Sequence, residues 1–355
     1  MTDKALIPIN ILTGFLGSGK TTLLNRWVHQ SSMHNTLVVI NEFGDIGLDH
    51  QLITQSDEQA VIEMSSGCLC CTLRGDLSRT LQEALKDLEA RGKPAPARVV
   101  IETTGLAAPT SLLQLLMMDR WLAHHFRLDS VVTCVDAING DATLDAHDES
   151  RQQVAVADKL LITKTDLTDE SGVSRLANRL ARLNPAAEQW QVVDGELSAS
   201  LLVGAGLSRD GEAGFQAEGW LKAGQYTITP TPAHAGTAIS LGNAHARHDT
   251  TRHASGINAF CFTVEEPIAP ETLDNWLNIL MSLMGEKMLR VKAVVHLTDR
   301  EAPLALHGVQ HIFHPPVTLP VASVKDRISR FVFITQHVSP ETVAEMYHFF
   351  SASKV

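Results

Sequence analysis

A chain of 355 residues with a net charge of −11 lacks the basic surface that a general nucleic-acid binder needs for phosphates. Its 44% hydrophobic content can bury a sizeable core, and its length suits two domains better than one. No stretch approaches the roughly twenty apolar residues of a membrane span, and an odd count of five cysteines, three of them clustered, is a poor disulfide framework that fits a reducing cytosol.

In chain order, Ile7 to Leu12 read as a buried strand rather than a signal peptide, since no basic segment precedes them and they run into a glycine-rich loop. Thr21 to Gln30 follow as a helix and Leu37 to Ile40 as a second strand. Leu77 to Ala90 carries apolar residues at helical spacing and stops near Gly92 and Pro94. Arg98 to Ile101, Ser130 to Val135 and Lys159 to Ile162 are short β-branched runs, separated by helical stretches such as Pro109 to Met118 and Ser171 to Leu183. Alternation of buried strands with helices predicts an α/β fold, a parallel sheet with helices on both faces.

This first domain is expected over residues 1–203. Residues 204–256 are rich in Gly, Ala, Ser, Thr and Pro and hold His234, His245, His248 and His253; they read as a flexible linker. Residues 257–355 read as a smaller α+β domain. Its expected strands are Ile257 to Val264, Met288 to His296, Leu304 to His307, Val309 to His314 and Arg330 to Ile334, with helices over Pro270 to Met284 and Thr342 to Phe350.

The loop Gly14-Phe15-Leu16-Gly17-Ser18-Gly19-Lys20-Thr21, continued by Thr22, fits G-x-x-x-x-G-K-[ST]. Its glycines permit the backbone angles and close approach that a phosphate demands. Lys20 is expected on the β- and γ-phosphates and the Thr21 hydroxyl on Mg²⁺, as in P-loop NTPases. Downstream, Val99 to Ile101 delivers Glu102 at the carboxyl end of a strand, where ligands of open α/β sheets bind. Glu102 is therefore expected at the Mg²⁺ shell, with the Gly105 N–H sensing the γ-phosphate.

Thr163-Lys164-Thr165-Asp166 follows another apolar strand and resembles the N-K-x-D guanine signature, with Thr at the Asn position. The Asp166 carboxylate can accept both N1–H and the exocyclic amine of guanine, a donor pair that adenine lacks. Losing the Asn amide predicts a weaker GTP preference. Val193 to Glu196 is, by position alone, the further base-contacting loop.

Cys68-Leu69-Cys70-Cys71 follows the loop signal Ser65-Ser66-Gly67. Three thiolates select Zn²⁺ or Cu(I) over Mg²⁺ and leave one tetrahedral position open, as metal transfer requires. Glu42, in Asn41-Glu42-Phe43-Gly44, lies where a switch loop would run and could bridge the two sites. Cys134 and Cys261 sit inside strands and read as core residues. The histidines of residues 234–253 are either an auxiliary loading tract or a plain polar linker. Strand alternation puts His307 and His311 on one face and His314 opposite.

With GFLGSGKTT, NEFG, GCLCC, ETTG and TKTD in this order, the chain resembles the CobW-like metallochaperone GTPases, relatives of UreG and HypB. The resemblance extends to Gly285-Glu-Lys-Met-Leu-Arg290 and His307-Gly-Val-Gln-His311 near the carboxyl end. It implies a P-loop GTPase domain with a CobW-type carboxyl-terminal domain, using GTP, Mg²⁺ and Zn²⁺. It further implies that Gly14 to Thr21 bind phosphates, Glu102 serves Mg²⁺, Lys164 and Asp166 read guanine, and Cys68, Cys70 and Cys71 carry zinc to a client metalloprotein. Eukaryotic zinc-transferring members add a docking extension ahead of the first strand, for which this chain starts too abruptly. A cytoplasmic protein with no nucleic-acid or membrane partner is expected, with self-association open. Rival readings are a zinc-buffering or sensing switch without delivery, a chaperone for another metal such as cobalt, and an ATP-using small-molecule kinase.

Overall fold

The computed structural model describes residues 6–40, 60–63, 73–202, 217–230 and 256–352. The chain divides into two compact units, residues 1–208 and 209–355. Among the described residues no helix is long and apolar enough to cross a membrane.

The first unit is built on strands β1 (Ile7–Gly14), β2 (Thr36–Ile40), β3 (Ala60–Glu63), β4 (Arg98–Glu102), β5 (Phe126–Asp136), β6 (Lys159–Thr163) and β7 (Glu188–Val192). They form one sheet in the order β3-β2-β4-β1-β5-β6-β7, and every neighbouring pair is parallel. Helix α1 (Lys20–Trp27) lays Leu23, Leu24 and Trp27 on a buried cluster with Leu12, Val100, Cys134, Leu161 and Val192. The alternate residues Ile9, Ile11, Val99, Ile101 and Val131 are equally buried, so the sheet is covered on both faces. This is the expected architecture. Helix α1 starts one residue earlier than the spacing suggests and ends at Trp27 rather than Gln30.

Register aligns the carboxyl ends of the strands. Leu12 and Ile40 flank Glu102, Gly14 faces Cys134, and Asp136 and Val192 flank Thr163. Connections leave β1 toward β2 on one side while β5 lies on its other side, so the loop after β1 sits at the topological switch point. Side-chain alternation puts Glu102, Asp136 and Thr163 on the face that α1 covers, with Leu12, Cys134 and Leu161.

The second unit contains β8 (Thr227–Pro230), β9 (Ile257–Val264), β10 (Met288–Val295), β11 (Leu304–Val309), β12 (Ile312–Phe313), β13 (Val317–Thr318) and β14 (Ser329–Gln336). The order is β12-β11-β10-β14-β9-β8, with β13 on β11. All pairs are antiparallel except β8 with β9. Helices Pro270–Met284 and Pro340–Ala352 bury Trp276, Leu280, Val343 and Tyr347 against Phe260, Phe262, Phe331 and Phe333 on one face of this sheet.

Two expectations are corrected here. Within the stretch read as linker, residues 217–230 are folded: a short helix Ala217–Leu221 precedes β8, which pairs with β9 along Thr227 to Pro230. The β-branched run Thr-Ile-Thr makes that strand, but Gly- and Pro-rich neighbours hide it in the composition. The linker histidines lie outside the described residues. The segment from Leu304 to His314 forms two strands as expected, but the break falls at Gln310 and His311 rather than at Gly308: Gln310 takes φ 53° and the chain reverses onto β12 in a hairpin. That turn stacks His307 on His314, ring centroids 5.3 Å apart, and sends His311 against Gly285, contrary to simple alternation.

Candidate functional site

The loop after β1 has the backbone that its glycines suggest. Gly14, Gly17 and Gly19 take φ of 140°, 71° and 87°. At Gly14 the reason is contact as well as angle, since a Cβ would lie 2.3 Å from the Cys134 carbonyl oxygen. Gly19 caps α1 without a side-chain cap hydrogen bond, and the loop ends on the helix N-terminus, the arrangement that suits a phosphate.

Lys20 is buried, and its ammonium donates to the carbonyls of Gly14 (3.0 Å) and Phe15 (3.2 Å). The charge is thus held inside the curve of the loop. One residue on, the Thr21 hydroxyl donates to Glu102 Oε1 at 2.8 Å. Glu102 is fully buried at the end of β4. A hydroxyl and a carboxylate in contact at a phosphate loop form a hard-oxygen pair suited to Mg²⁺. Ser18 is buried, Phe15 is stacked on His147 at 4.4 Å, and Leu16 is exposed. Thr22 is exposed on the first turn of α1.

Gly105 packs on the phosphate loop so closely that a Cβ would come within 2.5 Å of the Leu16 nitrogen. Its carbonyl, with that of Ala107, accepts the Gln153 amide at 3.0 and 3.1 Å. Gln153 is buried, and sequence reading missed it because no motif marks it. It ties the segment after Glu102 to the helix Asp148–Ala155.

At the other flank Thr163 ends β6. Its hydroxyl donates to the Ser18 carbonyl at 2.8 Å, joining the TKTD segment to the phosphate loop. Thr163→Val keeps the shape but removes this tie. Guanine-nucleotide affinity is expected to fall by about five- to tenfold, with Thr163→Ser near wild type, in a fluorescent-nucleotide titration.

Lys164 takes φ 57° and pairs with Asp136 at 2.7 Å. Burial pushes the Asp136 carboxyl up, but the Lys164 ammonium, the Ile138 N–H and Asn139 outweigh it and hold it below the usual range. Asp136 was overlooked in the sequence, although it ends an apolar strand just as Glu102 does. Asp166 is exposed in the turn Thr165–Leu167. Beyond β7, Asp194 and Gly195 take positive φ in a turn whose Gly195 faces Thr22 and Arg26, and Asp194 pairs with Arg26. The structure thus brings Lys20, Thr21 and Glu102 together, and sets Thr163, Lys164 and the Val193–Glu196 turn along the same sheet edge.

Glu42, Cys68, Cys70 and Cys71 lie outside the described residues. Among the described residues no group of three or more His, Cys, Asp or Glu could hold a metal. Cys134 and Cys261 are free and buried; burial raises their thiols to about 12 and about 11. Both are core residues, as expected.

The family model described as CobW/HypB/UreG, nucleotide-binding domain, matches residues 8–191, and that of the cobalamin synthesis protein cobW C-terminal domain matches residues 257–347. The zinc chaperone YjiA of Escherichia coli is 28% identical over 337 residues, covering 95% of this chain and 96% of its own. The zinc-regulated GTPase metalloprotein activator 1 of Schizosaccharomyces pombe is 34% identical over 197 residues, 54% of this chain and 47% of its own. The crystal structure of Zn(II)-bound YjiA GTPase from E. coli superposes with a TM-score of 0.68 at 23% identity, covering 97% of this chain and 99% of that one, and so shares the fold.

Proposed function

The chain belongs to the CobW/HypB/UreG family of nucleotide-binding proteins, and from that premise we propose that it is a GTP-hydrolysing zinc chaperone acting on client metalloproteins. The observation that carries the nucleotide half is the Lys20–Thr21–Glu102 constellation at the phosphate loop. The zinc half is supported by the three thiols of Cys68, Cys70 and Cys71 and by relatives named as zinc chaperones, YjiA among them.

Hydrolysis here is electrostatic work. The Lys20 ammonium, already fixed by two loop carbonyls, meets negative charge on the transferred phosphoryl group without reorganising. Glycine angles open the loop's N–H groups to the phosphate chain. Thr21 and Glu102 would hold Mg²⁺, which when bound neutralises phosphate charge. Thr163 fixes the TKTD segment to the loop, Lys164 is anchored by Asp136, and Asp166 is left exposed to read guanine.

In sequence, the three thiols follow soon after β3. Glu63 pairs with Ile40, and Ile40 with Glu102, so the end of β3 lies two strand spacings, about 10 Å, from Glu102. Only four residues separate Glu63 from Cys68 in sequence. That short separation in sequence supports coupling of nucleotide state to zinc affinity. A cytosolic setting belongs to the same reading, supported by the free thiols of Cys134 and Cys261.

Competition between GTP and ATP tests the nucleotide assignment. Wild type is expected to prefer GTP, and Asp166→Ala to lose about a hundredfold in GTP affinity while ATP binding is unchanged. Equal binding of both nucleotides by wild type would exclude a guanine-reading site.

A further inference from the structure

The second unit holds a cavity of about 220 Å³ on the sheet face opposite its two long helices. Its walls are mostly apolar: Leu221, Ile228, Cys261, Val294, Val324 and Ile328. An apolar cavity of about 150 Å³ is enough for benzene, so this volume takes a one- or two-ring compound.

His296, the residue after β10, lines it. The side chain is 2% exposed, yet neither Nδ1 nor Nε2 has a hydrogen-bond partner among the described residues. Its backbone is fully committed, with the N–H donating to Ser329 Oγ at 2.9 Å and the carbonyl accepting from Ile268 N–H at 2.8 Å. The ring is therefore held in place with both polar atoms unused, which is costly in an apolar wall unless something meets them. Burial first, then the nearby Arg327 and Arg330 charges, lower the imidazole's proton affinity against the opposing pull of Asp326. The ring is neutral, with one donor and one acceptor to offer.

The charged side chains that line the cavity are paired with one another. Arg330 grips Asp326 through two bonds of 2.7 and 2.8 Å, and Lys325 pairs with Glu218 at 2.6 Å. A neutral ligand leaves both pairs intact. We propose that this cavity is a binding site for a small neutral ring compound, of phenol to indole size, whose single hydrogen-bonding group meets the His296 imidazole.

The test is titration of the full-length chain, with ¹⁵N-labelled histidine, by phenol, indole and the anion indole-3-acetate. Saturable shifts of the His296 ring nitrogens are expected with phenol and indole, and affinity should fall about tenfold or more in His296→Leu. Val294→Phe, which fills the cavity and leaves His296 in place, should also lose binding and decides the matter should His296→Leu not fold. Absence of saturable shifts with either neutral probe would overturn the proposal. So would unchanged affinity in a folded His296→Leu or Val294→Phe, or indole-3-acetate binding as tightly as indole.

Discussion

Lys20→Met is expected to lower kcat/KM for GTP by about a hundredfold to a thousandfold, the usual cost of removing a preorganised charge partner of the transition state. Methionine keeps most of the buried stem, so the loss reports the ammonium rather than a cavity. The structure explains why Lys20→Arg should not rescue activity. The ammonium sits between the Gly14 and Phe15 carbonyls at 3.0 and 3.2 Å, inside a loop closed against the Cys134 carbonyl, and a guanidinium is too broad and planar for that position. Steady-state GTP turnover with phosphate detection measures it. A fall of less than about tenfold would mean that the charge is not spent on the phosphoryl group.

Glu102→Gln should act through Mg²⁺. The substitution keeps the shape and an acceptor for the Thr21 hydroxyl but removes the charge at the end of β4. The Mg²⁺ concentration giving half-maximal turnover is expected to rise about 10–100-fold. Because Thr21 and Glu102 are in direct contact at 2.8 Å, Thr21→Val and the double variant complete a cycle whose effects should fall well short of multiplying. Simple multiplication in a Mg²⁺ titration would show that the two oxygens do not serve one ion.

Legibility in the sequence followed locality. Phosphate binding needs a run of backbone N–H groups, so the residues from Gly14 to Thr21 must be contiguous and their spacing is readable. Glu102 was readable because a strand hands its last side chain to the sheet's carboxyl edge, and the same rule applied to β5 would have found Asp136. Gln153 and the Thr163–Ser18 tie join segments 48 and 145 positions apart; no local pattern encodes such pairings. The turn at Gln310 was misplaced because it uses Gln in the left-handed region where Gly or Asn would announce it. Strand β8 was hidden by its surroundings: four residues give too short a run for periodicity, and only pairing with β9 makes them a strand. His296 carries no sequence signal at all, since its isolation is a property of the cavity wall.

The γ-phosphate and a zinc ion held by Cys68, Cys70 and Cys71 are expected to influence each other across the β3–β2–β4 edge of the sheet. Zinc affinity of the full-length chain, measured by competition with a chromophoric chelator in GDP and in a non-hydrolysable GTP analogue, tests it most directly. Affinities are expected to differ by about tenfold or more, within the usual range of site-to-site coupling, and the difference to disappear in Cys70→Ser. Identical zinc affinity in the two nucleotide states would contradict it.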